Sequence, residues 1–236
     1  MKKFLIPILL LSALSGFGQT KKVAATPKTA ATSTVTITDK NAALKDALNQ
    51  GIDKGVSLLS ASGGFFNNPS YKILLPDEAK KMEEKLRSMG MGAEVDKAIK
   101  AMNEAAEKAT NSAKPIFAEA VKNLSFQDAN AIITGGDGAA TNYLRKSSTD
   151  NLKTTYRPKI KEALDATQAT KYYQVLVDKY NKIPFVTKIN GDLTEYVTGK
   201  ATEALFKQIE IEENNIRKNP VARTTDLLKK AFTPAK

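Results

Sequence analysis

Residues 135–141 form the segment best suited to bind an anion. Two glycines precede an aspartate that can cap a helix, and such an arrangement exposes backbone N–H groups in a positively polarised nest. Gly135, Gly136, Asp137 and Thr141 are therefore candidate ligand-binding residues. The alternative is helix punctuation, in which a glycine ends one helix and Asp137 caps the next, so that its own carboxylate takes the positive end.

Arg223 and Thr224 form a second candidate site. Arginine offers a planar fork of donors for a carboxylate or phosphate, and the N-terminus of a helix opened by Thr224 would add backbone N–H groups. In the alternative interpretation Arg223 pairs with an internal carboxylate, with Asp137 as the partner, and locks the C-terminal helix onto the body.

Phe65 and Phe66 are the third candidate. They lie in a loop of residues 61–70 that is rich in Gly and Asn and contains Pro69. Apolar residues on loops are less constrained to bury than those on a helical stripe, so the pair either plugs the core or forms a lid or membrane-contacting tip. Ile183–Val186 is another irregular apolar stretch, the longest after the N-terminal segment.

The absence of cysteine, histidine and tryptophan removes most familiar catalytic chemistry. Disulfides, Cys/His zinc sites, thiol nucleophiles and imidazole bases are excluded. We assign no catalytic residue and expect no metal or cofactor. The composition favours a non-enzymatic binding or interaction module for an amphiphilic or anionic ligand or for a protein partner. The alternative is an enzyme that uses Asp, Arg and Tyr chemistry near Asp137 and Arg223.

Apolar spacing predicts helices almost throughout residues 41–236. Leu44, Leu48 and Ile52 recur every four residues, which places them on one stripe of a helix that Asp39 or Asn41 would cap. No segment after Lys40 combines β-branched residues with sustained alternation. We therefore predict one all-α domain, an irregular bundle of about eight helices.

The N-terminal segment has the layout of a secretory signal. Lys2 and Lys3 precede the apolar run Phe4–Leu14, and Gly16 and Gly18 are the small residues before a cleavage site. Because that run is too short to span a bilayer, we predict a cleaved signal peptide at 1–18. The chain is then periplasmic or secreted, and soluble after cleavage near Gly18-Gln19.

Residues 19–40 are rich in Thr, Ala and Lys and predict a flexible tether. The alternation over Thr34–Thr38 leaves a short β-arm as the alternative. The folded domain is expected to follow at 41–236.

Three stretches together resemble the bacterial family known as domain-of-unknown-function family 4197. They are Phe65-Phe66-Asn67-Asn68-Pro69, the run 135–141, and residues 219–230. The resemblance extends over Asn41–Phe232, although the family commonly has Phe-Leu where this chain has Phe65-Phe66. It implies an exported, all-helical domain and supplies no catalytic residues.

The formal net charge of +11 belongs mainly to the two ends of the chain. Residues 41–215 hold 24 basic and 23 acidic side chains, whereas residues 216–236 hold six basic residues against Asp226. We therefore expect an unidentified small amphiphile or envelope protein as partner and weak contact of the basic ends with an anionic membrane surface. Nucleic acid is not an expected partner.

Overall fold

A computed structural model describes residues 37–189 and 192–223, together with residues 225, 226 and 229. Over these residues the chain forms nine α-helices and no strand, which confirms the all-α prediction and lies close to the expected number of helices. The helices are α1 (Ile37–Ser60), α2 (Lys80–Ser88), α3 (Gly92–Thr110), α4 (Lys114–Lys122), α5 (Phe126–Thr134), α6 (Ala139–Asn151), α7 (Arg157–Ala166), α8 (Ala169–Asn181) and α9 (Leu193–Lys218).

The two longest helices, α1 and α9, pack against each other. The predicted stripe of α1 is buried, as its periodicity requires. Gly51 and Gly55 face α9, where a Cβ on Gly55 would lie 3.4 Å from Cγ of Gln208. Glycine at these two positions therefore lets the helices approach closely.

Helix α3 is central and packs against α1, α2, α7, α8 and α9. Five of its eleven buried residues are alanines, and small side chains let neighbouring helices pack closely, because the distance between helix axes depends on the side chains at the contact. The buried alanines are Ala98, Ala101, Ala105, Ala106 and Ala109.

Helix ends follow local sequence signals. Ser125 and Asp128 form a capping box at the start of α5, and Asp192 caps α9 by accepting a hydrogen bond from the Thr194 N–H at 2.8 Å. One turn of π-helix, Leu152–Tyr156, joins α6 to α7 just before Pro158. Proline has no N–H and crowds the preceding turn, and a wider turn is one way in which a helix accommodates such a break.

The start of α1 differs from the sequence prediction. The helix begins at Ile37, before the expected caps Asp39 and Asn41, so a β-arm through Ile37 and Thr38 is wrong. The predicted signal peptide and most of the tether lie outside the described residues, and both stay predictions. None of the described helices combines the length and apolar character needed to cross a bilayer.

Candidate functional site

The glycine-rich run 135–141 connects α5 to α6. Gly135 ends α5, with its N–H donating to Ala131 O at 2.9 Å. The residue that caps α6 is Gly138, whose φ of +75° places it in the left-handed region that glycine adopts most readily. The prediction that Asp137 caps this helix is therefore wrong, because a left-handed residue follows it before the helix begins.

The carboxylate of Glu213, from α9, occupies the N-terminus of α6. It accepts hydrogen bonds from the N–H groups of Ala140 and Thr141, both at 2.9 Å, and from the Thr141 hydroxyl at 2.8 Å. A negative charge is favourable there because the first N–H groups of a helix have no intrahelical partner. The anion at this helix N-terminus is a side chain of the protein itself, and its backbone donors are Ala140 and Thr141, not the two glycines of the predicted nest.

Arg217, one turn after Glu213, binds both this carboxylate and the end of α5. Its guanidinium donates to Glu213 Oε1 at 2.9 Å, to Ile132 O at 2.8 Å and to Gly135 O at 3.3 Å. The cavity beside the pair measures about 20 Å³, room for about one water molecule. A ligand at these N–H groups would have to displace Glu213.

Arg223 is buried at the C-terminal end of α9. It donates to Ile216 O at 3.1 Å and to Arg217 O at 2.8 Å, and so satisfies carbonyls that have no helical partner. Thr224, its predicted companion, lies outside the described residues.

Asp137 is exposed and pairs with Lys218. The predicted pair of Arg223 with Asp137 is therefore wrong, because each side chain has another partner. Sequence spacing did not indicate that α9 supplies a lysine to Asp137 and its own carbonyls to Arg223. The enzymatic alternative thus lacks the assembled Asp–Arg pair on which it depended.

Phe65 is fully buried, at 0% exposure, and plugs the core. Phe66 is partly buried, and the Lys72 ammonium lies 4.1 Å from its ring centroid. The N–H groups of both phenylalanines donate to Oε1 of Glu107, on α3, at 3.1 and 3.2 Å. The core-plug interpretation is confirmed for Phe65, and a buried carboxylate holds the backbone of the loop.

Asn103, one turn before Glu107 on α3, binds the backbone of the segment that follows the loop. It accepts from the Ile73 N–H, and its amide group donates to Ile73 O and Ile99 O, each at 2.8 Å. The side chain is fully buried. Asn103 and Glu107 together fix the extended segment that leads to α2.

That segment forms one wall of an open groove of about 460 Å³, and the first half of α9 forms the other. Leu74, 55% exposed, supplies apolar surface there. We call this surface the basic groove, and the charged side chains that line it are Lys72, Lys80, Lys200, Lys207, Asp77 and Glu203. Basic side chains outnumber acidic ones in this groove, whereas the charges of residues 41–215 as a whole nearly balance.

Three of these lysines have no carboxylate partner among the described residues. Lys80 pairs with Asp77 at 2.8 Å, whereas Lys72, Lys200 and Lys207 form no ion pair within the described part of the chain. The hydrogen bond and charge of Lys80 lower the pKa of Asp77, with a smaller contribution from Lys200. The groove therefore keeps a positive potential.

Two tyrosines fix the walls of the basic groove. The Tyr196 hydroxyl donates to Leu74 O at 3.0 Å, and the Tyr71 hydroxyl donates to Gln208 Oε1 at 2.7 Å. Burial raises the pKa of both hydroxyls, and nearby carboxylates add to the shift. Both tyrosines stay protonated at neutral pH and keep these hydrogen bonds.

The sequence offered only a partial signal for this groove. Lys200 and Lys207 are seven residues apart and therefore share a face of α9. Lys72 and Lys80 come from a distant segment, which contacts of Tyr71, Asn103 and Tyr196 bring alongside α9.

These features define an all-helical protein with a basic groove beside its longest helix. The model of a family described as "Protein of unknown function (DUF4197)" matches residues 34–233. The chain belongs to this family, as its three motifs predicted. No curated protein and no solved structure matches it.

Proposed function

We propose that this protein is a non-enzymatic binding module of the cell envelope and that its ligand is an amphiphilic anion held in the basic groove. One observation carries the proposal. Lys72, Lys200 and Lys207, none of them ion-paired within the described residues, line a single groove together with the exposed side chain of Leu74.

The size and chemistry of the groove suit such a ligand. Its volume of about 460 Å³ falls within the range of roughly 300–1,000 Å³ of small-molecule sites. A carboxylate or phosphate head would receive charge-assisted hydrogen bonds from the lysines. Leu74 and the stems of the lysines would contact an alkyl chain, because long cationic side chains cover apolar surface while their heads stay in water.

The Lys80–Asp77 pair of the groove is not poised for acid–base catalysis. The contact between Lys80 and Asp77 lowers the pKa of Asp77 and raises the pKa of Lys80. Both values move away from neutrality, whereas a general acid or base works best with a pKa near the working pH. The pair is therefore not suited to transfer protons at neutral pH.

An envelope location rests on the N-terminal segment. Its two lysines, the apolar run Phe4–Leu14 and the small residues Gly16 and Gly18 support export and cleavage. N-terminal sequencing of the protein from its host tests this. A mature chain that begins near Gln19 is expected, and recovery of a chain that still begins at Met1 would contradict it.

Calorimetric titration with dodecyl phosphate below its critical micelle concentration tests the binding proposal. Replacing Lys72, Lys200 and Lys207 together by Gln should weaken binding by about tenfold or more, because three charged donors are lost. The matched control replaces Lys146, Lys153 and Lys171, exposed lysines of other surfaces, and changes the net charge equally.

Inorganic phosphate and dodecyl maltoside test the contributions of the charged head and of the alkyl chain separately. Each should bind more weakly than dodecyl phosphate, because one lacks the chain and the other lacks the charge. Equal losses in the two triple variants, or no binding of dodecyl phosphate by the parent chain, would show that the groove is not the site.

A further inference from the structure

The loop between α8 and α9 projects one aromatic ring into solvent. Phe185 has a relative exposure of 108% and a φ of +64°. Positive φ is a true outlier for a bulky aromatic residue, and such strain persists only where the surrounding structure enforces it. Phe185 is therefore unusual both in the exposure of its ring and in the conformation of its backbone.

The base of this loop is closed by a pair of hydrogen bonds. The Asn181 amide group donates to Ile189 O at 2.9 Å, and the Ile189 N–H donates to Asn181 Oδ1 at 3.0 Å. Ile183 and Val186, on either side of the exposed ring, pack against the core. The loop therefore holds Phe185 outward while its apolar neighbours turn inward.

Exposed lysines flank Phe185 in the sequence. Lys179, Lys182 and Lys188 are exposed and form no ion pair with any described residue. Asp192, which follows the loop, is already paired with Arg157 at 3.2 Å. We call residues 182–188 the aromatic tip, a surface that combines the exposed ring of Phe185 with the exposed ammonium groups of Lys182 and Lys188.

We propose that the aromatic tip inserts Phe185 into the interfacial region of an anionic lipid bilayer, with Lys182 and Lys188 against the lipid phosphates. Aromatic rings and lysines are the side chains that settle at this depth, and each lysine gains from the surface potential. A single ring offers far less area than the roughly 800 Å² per partner of a stable protein interface. The proposal is independent of the ligand in the basic groove and of the basic chain ends.

The absence of tryptophan from the chain permits a position-specific test. Phe185→Trp introduces a single indole at the tip, and its fluorescence should shift to the blue with vesicles of equimolar phosphatidylcholine and phosphatidylglycerol. Phosphatidylcholine vesicles alone should give a smaller shift. Phe126→Trp is the matched control, because Phe126 is 57% exposed on α5, and it should not shift.

Variants that remove the ring or a lysine of the tip measure how much each side chain contributes to partitioning onto the vesicles. Phe185→Asn keeps a residue that tolerates positive φ and should lower partitioning onto the anionic vesicles by about tenfold. Lys182→Gln and Lys188→Gln should each lower it by about fivefold.

Two results would overturn the proposal. In one, the two indole variants respond alike, or neither responds. In the other, Phe185→Asn partitions like the parent chain, which would show that Phe185 does not contact the lipid and would favour a protein partner for the tip.

Discussion

Glu213 and Arg217, one turn apart on α9, together close the junction between α5 and α6. Glu213 accepts from the first N–H groups of α6, while Arg217 donates to the last carbonyls of α5. The ends of two helices leave several backbone groups without partners, and one ion pair satisfies groups at both ends. Gly138, the cap residue of α6, has no side chain to accept a hydrogen bond, and α9 provides the carboxylate in its place.

Replacing Glu213 by Gln should lower the free energy of unfolding by about 3 kcal/mol, because it leaves Arg217 without its carboxylate in a buried site. Urea denaturation measures the change. Glu162→Gln is the control, since Glu162 is an exposed partner of Lys159 at 2.9 Å and such surface pairs contribute little. A loss no larger than that of the control would contradict the capping role.

Gly138→Ala should cost about 1 kcal/mol of stability, because alanine is strained at positive φ. The new Cβ would also lie 3.2 Å from Glu210 Oε1. Gly136→Ala is the matched control, because no atom lies within 4 Å of its Cβ position. If the two variants melt at the same temperature, Gly138 is not the residue that needs left-handed backbone.

The helices could be predicted because their signals are local. The spacing of apolar residues predicted the buried stripe of α1, and the Ser125–Asp128 box and Asp192 are local signals at the starts of α5 and α9. Each depends on residues a few positions apart, which sequence periodicity and capping chemistry report directly. The family followed from three short motifs, and the family model confirms it.

The partners of the candidate site residues could not be predicted, because they depend on contacts between distant segments. The sequence indicated that residues 135–141 suit an anion but not that Glu213 is the anion. Asp137 and Arg223 were plausible partners by charge, yet Lys218 and the carbonyls at the end of α9 lie closer. Charge complementarity narrows the choice of partners, and only the packing of α9 decides among them.

Asn103→Ala should lower stability by about 2 kcal/mol, because it leaves the N–H and carbonyl of Ile73 buried without partners. Hydrogen exchange of the Ile73 amide should also accelerate more than exchange of the amides within α3. Asn123→Ala serves as the control, since Asn123 is exposed and its side chain donates to Glu119 Oε1 at 3.1 Å. Unchanged exchange at Ile73 would contradict a holding role for Asn103.

Tyr173→Phe should preserve or raise stability at neutral pH. The Tyr173 hydroxyl is buried with no hydrogen-bond partner among the described residues, and removing an unsatisfied polar group avoids its desolvation penalty. Burial, with smaller contributions from Glu78 and Tyr196, raises the pKa of Tyr173 from 10.0 to about 12.

The same variant changes the alkaline behaviour of the protein. Because the folded state favours the neutral phenol, the unfolded chain ionises first, and stability falls as the pH rises from about 10 towards about 12. Burial also raises the pKa of Tyr156, so the parent chain and the variant should both lose stability, the variant less steeply. Urea denaturation at neutral and alkaline pH measures the difference. Equal slopes, or a loss of stability at neutral pH, would mean that the Tyr173 hydroxyl has a partner in the folded protein.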